Sequence, residues 1–256
     1  MKKVAFCTLG CKVNQYETNA MEERFINSGY EIVNFEEKAD IYVINTCTVT
    51  NMSDKKSRQM IRKAKQLNSH AIVAAVGCYA QVSKDKLEEI EEVDLILGNN
   101  EKKEIVKYVE QFEKEQIVHL EDVLHQKEFI DFGTTLNIEK TRAVIKIQDG
   151  CDRFCSYCII PYARGRIRSR KPESVIQEVE NLAKNGVKEV VLTGIHIASY
   201  GKDFKENITL IDLLEEINKV EGIQRIRLGS LEPTIINEEF LSRLSKLFFL
   251  KIHMFY

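Results

Sequence analysis

No apolar run in the 256 residues approaches the roughly 20 that a membrane span needs, so an ordinary transmembrane helix is excluded. The N-terminus, Met1-Lys2-Lys3-Val4-Ala5-Phe6, also lacks the long apolar stretch and small-residue cleavage site of a secretory signal. A soluble, cytoplasmic protein is expected. Net charge is scarce as well: 37 Lys and Arg against 39 Asp and Glu give −2. The overall basic character common among nucleic-acid binders is missing, so any such surface must be local. The seven cysteines, at 7, 11, 47, 78, 151, 155 and 158, are odd in number. In a cytoplasmic setting this disfavours a disulfide framework and leaves metal ligands, catalytic thiols or core cysteines. What the chain does have is 44% hydrophobic residues, enough for one large core or two ordinary ones.

Over residues 1–110 strand-like and helix-like stretches alternate, the pattern of an α/β domain with an open, mostly parallel sheet. Val4 to Leu9, Ile41 to Ile44, Ala71 to Val76 and Val93 to Leu97 read as strands. Asn14 and Glu17 resemble a capping pair for a helix carrying Met21 and Phe25 and closed by Gly29. Lys55 to Leu67 reads as a helix burying Met60, Ala64 and Leu67. Residues 111–140 show no sustained period and read as a linker.

From 141 to 256 the alternation resumes. Strand Ala143 to Ile147 is followed by a helix opened by Pro172 and burying Val175, Val179 and Ala183. Strand Glu189 to Leu192, a helix around Ile211, Leu214 and Ile217, and strand Arg225 to Leu228 come next. Asn237 reads as the cap of a last helix with Phe240, Leu241 and Leu244 on its apolar side. Such β–α units over this length make about half of a closed (β/α) TIM-like barrel, which takes roughly 250 residues. The chain is expected to be a truncated product, because an apolar strand left at an edge invites aggregation. The other reading is a complete chain whose open edge pairs with another chain.

The segment Gly150-Cys151-Asp152-Arg153-Phe154-Cys155-Ser156-Tyr157-Cys158 directly follows a predicted strand. Thiolates spaced C-x3-C-x2-C can converge on one face of a compact loop, and iron–sulfur clusters take such short runs. Three ligands leave one iron of a cubane open, and open sites do chemistry. A zinc site with a fourth ligand from elsewhere and a chance grouping are the other readings. Cys11, Cys47 and Cys78 are far apart in sequence, yet each ends a predicted strand. In an open parallel sheet those ends face one crevice, where ligands bind. Three thiolates meeting there could hold a second cluster, with Gly10 and Gly77 letting the backbone approach closely. The alternative is three separate core cysteines, which is also the reading kept for Cys7.

The C-x3-C-x-aromatic-C run after a first barrel strand resembles that of radical S-adenosylmethionine enzymes. With a three-cysteine N-terminal domain as well, the chain is similar to the methylthiotransferases of that class. Matching segments are Tyr42 to Thr50, Gly77-Cys78-Tyr79-Ala80-Gln81 and Ile159 to Gly165, extended by Arg166 to Arg170. Gly10-Cys11-Lys12-Val13-Asn14 looks like the branch acting on N6-threonylcarbamoyladenosine 37 of tRNA. The isopentenyladenosine branch usually shows Gly-Cys-Gln-Met-Asn there, and the ribosomal-protein branch Gly-Cys-Pro-Lys-Asn. The resemblance implies two [4Fe–4S] clusters, one on Cys11, Cys47 and Cys78 and one on Cys151, Cys155 and Cys158. It implies one S-adenosylmethionine giving the methyl group and a second giving the radical that removes hydrogen from C2 of the adenine. Such chemistry needs no dominant protein acid or base. It also implies tRNA, a sulfur donor and an electron donor of flavodoxin or ferredoxin type as partners. Family members further have a complete barrel and a small C-terminal RNA-binding domain, which this sequence does not show, so the chain as it stands is expected to be less than the active whole.

Tyr157 occupies the aromatic position that in the family lies beside adenine; ordinary packing is the other reading. Thr193-Gly194 and Ser230-Leu231-Glu232-Pro233 follow predicted barrel strands, and loops at that end build barrel sites. By resemblance they contact S-adenosylmethionine, Glu232 through its ribose or amino group. His196 reads as a structural histidine near them. Arg164, Arg166, Arg168 and Arg170, with Lys171, form a basic window without an acid. It reads as a steering patch for a phosphate backbone, as a solvated turn, or as a partner of a cofactor carboxylate. Lys55, Lys56, Arg58, Arg62, Lys63 and Lys65 make a second basic run, facing RNA or simply solvated. A scaffold that binds iron–sulfur or zinc and RNA without catalysis is the non-enzymatic alternative.

Overall fold

The computed structural model describes residues 1–133, 141–229, 231–247 and 250–252. Contacts divide the chain into two compact units, Met1–Gln126 with Phe154–Gly165, and Lys127–Arg153 with Arg166–Tyr256.

The first unit runs β1 (Lys3–Thr8), α1 (Lys12–Asn27), β2 (Glu31–Val33), β3 (Ile41–Thr46), α2 (Asn51–Leu67), β4 (Ile72–Gly77), α3 (Cys78–Val82), α4 (Lys84–Glu88), β5 (Leu95–Leu97), α5 (Ile105–Gln111), β6 (Ile117–His119) and α6 (Ile160–Arg164). Its sheet has the order β2-β1-β3-β4-β5-β6, and every pairing is parallel. All six residues of β3 are buried, as expected of a parallel strand covered on both faces. One face packs Tyr42, Ile44, Ile61, Val73 and Leu87; the other packs Met21, Phe25, Val43, Leu97 and Ile105. The strand order reverses between β1 and β3. Such a switch point opens a crevice at the carboxyl ends of the strands.

Local readings hold with instructive exceptions. Asn14 and Glu17 are not a capping pair: α1 begins at Lys12, with Cys11 as its N-cap, and both residues are buried inside the helix. Helix α2 starts earlier than predicted because Thr50 caps it, its hydroxyl accepting from Ser53 N at 3.1 Å. It buries Ser57, Ile61 and, as predicted, Ala64, with the predicted Met60 and Leu67 partly buried against the same core. Strands β2 and β6 have three residues each, too few to show a period, and β6 falls in the stretch read as a linker.

The second unit runs β7 (Arg142–Lys146), β8 (Gln148–Asp149), β9 (Arg168–Ser169), α7 (Pro172–Lys184), β10 (Glu189–Thr193), α8 (Leu210–Ile217), β11 (Arg225–Leu228), α9 (Glu238–Leu244) and β12 (Leu250–Ile252). Four strands lie in the order β12-β11-β10-β7, all parallel, while β8 and β9 form a small antiparallel ribbon. Pro172 opens α7 as predicted, and Asn237 Oδ1 accepts from Phe240 N at 2.8 Å to cap α9. Leu241 is half exposed, so the apolar side of α9 is narrower than expected. Parallel neighbours in chain order, with helices between them, are the arrangement of part of a (β/α) barrel; no closed barrel is present among the described residues. No helix among them is long and apolar enough to cross a membrane.

Candidate metal centre

Cys11, Cys47 and Cys78 follow β1, β3 and β4, three adjacent strands. Cys11 is exposed, and Cys47 and Cys78 are buried. Gly10 has φ +97°, and a Cβ there would lie 2.7 Å from Cys47 Sγ, so the Cys11 turn closes directly on the second thiol. Burial pushes the Cys47 thiol up. Cys7 sits within β1, and burial pushes its thiol up to about 11, in keeping with its core reading. Among the described residues no three His, Cys, Asp or Glu side chains are placed to hold a single metal ion. A zinc ion with Zn–S about 2.3 Å needs its sulfurs about 4 Å apart, whereas a polynuclear cluster spreads its ligands wider. Three thiols at a switch-point crevice, with a glycine turn against one of them, fit the larger group.

Buried polar side chains tie the cysteine turns together. Asn14 Nδ2 donates to Leu9 O at 2.7 Å and Thr46 O at 3.0 Å, the carbonyls just before the Cys11 and Cys47 turns. Thr46 Oγ1 accepts from Tyr79 N and Ala80 N, fixing the start of α3 beside Cys78. Asn45 Nδ2 donates to Asn14 O at 2.9 Å. Asn14 Oδ1 in turn accepts from Arg164 Nη2 at 2.6 Å. Arg164 also grips Glu17, Nη1 to Oε1 at 2.9 Å and Nη2 to Oε2 at 3.1 Å, and Lys102 Nζ reaches Glu17 Oε2 at 2.6 Å. All three charged residues are 0–1% exposed. Burial pushes the Lys102 ammonium below its usual range, against the pull of Glu17.

The C-x3-C-x2-C loop is shared out: Cys151 belongs to the second unit, and Cys155 and Cys158 to the first. Cys155 is exposed, and Cys151 and Cys158 are half-buried. Cys158 N donates to Cys155 O at 2.9 Å, and Phe154 takes φ 45°, a left-handed value rare for a bulky residue. Cys155 and Cys158 on this tight turn are the thiol type that a cluster takes. Tyr157 is 91% exposed, so it packs against nothing and its ring is open to a ligand. At the end of β10 Thr193 is buried, and a Cβ on Gly194 would lie 2.9 Å from Gln148 Oε1. Ser230 lies outside the described residues. Glu232 accepts from His196 Nε2 at 3.0 Å and Thr234 Oγ1 at 3.1 Å and pairs with Arg153. The His196 hydrogen bond holds its carboxyl below the usual range.

The arginine window is corrected by its burial. Arg164 is spent on Glu17 and Asn14. Arg168 is 1% exposed, its Nη2 3.7 Å from Asp149 Oδ2. Arg170 is 2% exposed and contacts Asp131 and Glu178. Only Arg166 of the four is exposed. Charges so enclosed hold the fold and are not presented to a phosphate backbone. On α2, Lys63 pairs with Glu36 and Lys65 with Asp94, Arg58 bonds Tyr79 Oη at 2.7 Å, and Lys55, Lys56 and Arg62 stay exposed. Sequence reasoning missed Arg153, Gln148, Asn99 and Lys102. Asn99 had a signal, since it follows a strand as the cysteines do. Lys102 had none, sitting in the charged run Glu101-Lys102-Lys103-Glu104.

The chain matches the model described as "Uncharacterized protein family UPF0004" over residues 3–98 and that of the Radical SAM superfamily over 145–254. The threonylcarbamoyladenosine tRNA methylthiotransferase MtaB of Aquifex aeolicus is 46% identical over 93% of this chain and 58% of its own length. Its namesake from Bacillus subtilis is 44% identical over 96% and 55%. The chain thus spans a little over half the length of these relatives. A ribosomal protein uS12 methylthiotransferase RimO of Desulfitobacterium hafniense is 38% identical over 94% and 55%. The structure of the radical S-adenosylmethionine methyltransferase TsrM from Kitasatospora setae, with cobalamin and a [4Fe–4S] cluster bound, aligns with a TM-score of 0.60. It is 17% identical and is matched over 98% of this chain and 60% of that one, a likeness of fold. The match over residues 145–254 defines the radical S-adenosylmethionine class, which implies that cofactor and one [4Fe–4S] cluster. Within that class, the chain belongs to the methylthiotransferase family.

Proposed function

We propose that the protein inserts a methylthio group at C2 of N6-threonylcarbamoyladenosine 37 in tRNA, in the cytoplasm, using S-adenosylmethionine and two [4Fe–4S] clusters. The observation that carries this reading is that Cys11, Cys47 and Cys78 each follow one of three adjacent parallel strands, in a chain that also has the C-x3-C-x2-C loop. The Cys11-Lys12-Val13-Asn14 context and the 44–46% identity to relatives of that name support this substrate over the others. Bound at Cys151, Cys155 and Cys158, a cluster supplies the electron that opens S-adenosylmethionine. The chain's own residues bind and orient. Gly194 keeps space at the end of β10, and Glu232, steadied by His196 and Arg153, offers a carboxylate to the cofactor's ammonium or ribose. Tyr157 offers its ring to adenine, and Thr193 and Ser230 contribute further contacts to the cofactor. A sulfur donor and a flavodoxin- or ferredoxin-type reductant complete the partners.

Anaerobic protein with cofactor, dithionite and threonylcarbamoyladenosine-containing tRNA tests the reading, with nucleoside mass spectrometry as the readout. A methylthio adduct on that nucleoside is expected; an adduct only on isopentenyladenosine or on ribosomal protein uS12 would move the protein to another branch. Gly10→Ala should leave about four irons per chain instead of about eight, because the new methyl meets Cys47 Sγ and the φ of +97° resists a side chain. Arg166→Ala should weaken tRNA binding and flatten its salt dependence by about one charge. A slope unchanged between wild type and variant would remove Arg166 from the interface.

A further inference from the structure

Two side chains that follow β5 lie at Cys78 or at the residue before it. Asn99 Nδ2 lies 3.7 Å from Cys78 Sγ and donates to Ala163 O at 2.7 Å. The side chain is 4% exposed, and its Oδ1 is buried with no hydrogen-bond partner. Lys102 is fully buried, and a Cβ on Gly77 would lie 3.2 Å from its Nζ. The ammonium therefore lies against the residue just before Cys78. Arg164 brings a second cation to the same carboxylate, Glu17. Positive charge is thus gathered behind a site whose three ligands are thiolates.

We propose that Asn99 and Lys102 set the reduction potential of the cluster held by Cys11, Cys47 and Cys78, the amide by donating to the Cys78 sulfur and the ammonium by placing buried positive charge behind it. This rests on the reading of those three cysteines as cluster ligands. Reduction adds negative charge to a group already bound by three anions. Net charge, hydrogen bonds to the sulfurs and solvent exposure are what set such potentials. In a low-dielectric interior both effects are stronger than in water. Each therefore favours the reduced form and raises the potential.

The test uses the full chain with Cys151, Cys155 and Cys158 all replaced by alanine, so that only the first cysteine set can hold iron. Iron and sulfide are counted, then the potential is titrated by electron paramagnetic resonance, alone and with Lys102→Met or Asn99→Ala added. Iron should be retained and the potential should fall in both variants, by tenfold or more in the reduction equilibrium for Lys102→Met, or 59 mV for one electron. Intact iron with unmoved potentials overturns the inference and leaves the two-cluster reading standing. Absence of iron in the parent overturns both. Asn99→Ala removes no charge, so it decides the matter if Lys102→Met fails to fold.

Discussion

Glu17→Ala is expected to be the most damaging single substitution in the first unit, costing about 3–5 kcal/mol or more. The carboxylate is 1% exposed and contacts two cations, Arg164 and Lys102, that are themselves shut off from water. Taking one partner out of a buried ion cluster leaves charge without compensation, and that penalty exceeds the net worth of the pair. Against a total stability of about 5–15 kcal/mol, the loss is large. It also loosens Asn14, which Arg164 holds, and so both the Cys11 and Cys47 turns. Lys102→Met should cost less, since Arg164 keeps both of its contacts to Glu17. Hydrogen exchange of the β3 amides in apo protein measures the change; a difference below about 1 kcal/mol would contradict the account of the network.

Asp149→Ala is expected to do the same in the second unit, again at about 3–5 kcal/mol. Asp149 Oδ2 lies 2.6 Å from Lys146 Nζ and 3.7 Å from Arg168 Nη2, and both cations are buried. The rings of Phe129 and Phe132 stand 5.4 and 5.6 Å from the Lys146 ammonium; they favour it without neutralising it. Asp149 Oδ1 also accepts from Gly150 N at 2.9 Å, and this bond anchors the turn into Cys151. The variant should lose stability in thermal unfolding and lose iron from the C-x3-C-x2-C set. Asp149→Asn, which can keep the Gly150 contact but not the charge, should unfold early yet hold iron better than alanine.

The elements with a sustained period were legible: β3, β4 and β10 are mainly apolar runs, β11 alternates Arg with Ile and Leu, α7 opens on Pro172, and α7 and α8 carry apolar stripes. The placement of Cys11, Cys47 and Cys78 at strand ends was legible for the same reason, because parallel strands all deliver their ends to one side. What stayed hidden depends on partners distant in sequence. Arg164 and Glu17 are 147 residues apart, so nothing local separates a buried arginine from the exposed Arg166 two positions on. The dense run of arginines after the cysteine loop therefore looked like a surface patch, while three of them serve inside the protein. Asn14 and Glu17 matched a capping pattern by spacing alone, yet their side chains turn inward to the network. The single hydrogen bond of Asn99 to Cys78 has no sequence signature beyond its place after a strand.

The most direct test of the central claim is iron and acid-labile sulfide per chain after anaerobic reconstitution, for wild type and for the variant with Cys151, Cys155 and Cys158 replaced by alanine. Two clusters predict about eight irons falling to about four. Four falling to none would leave Cys11, Cys47 and Cys78 as core residues, and zinc without iron would contradict the assignment of both sets.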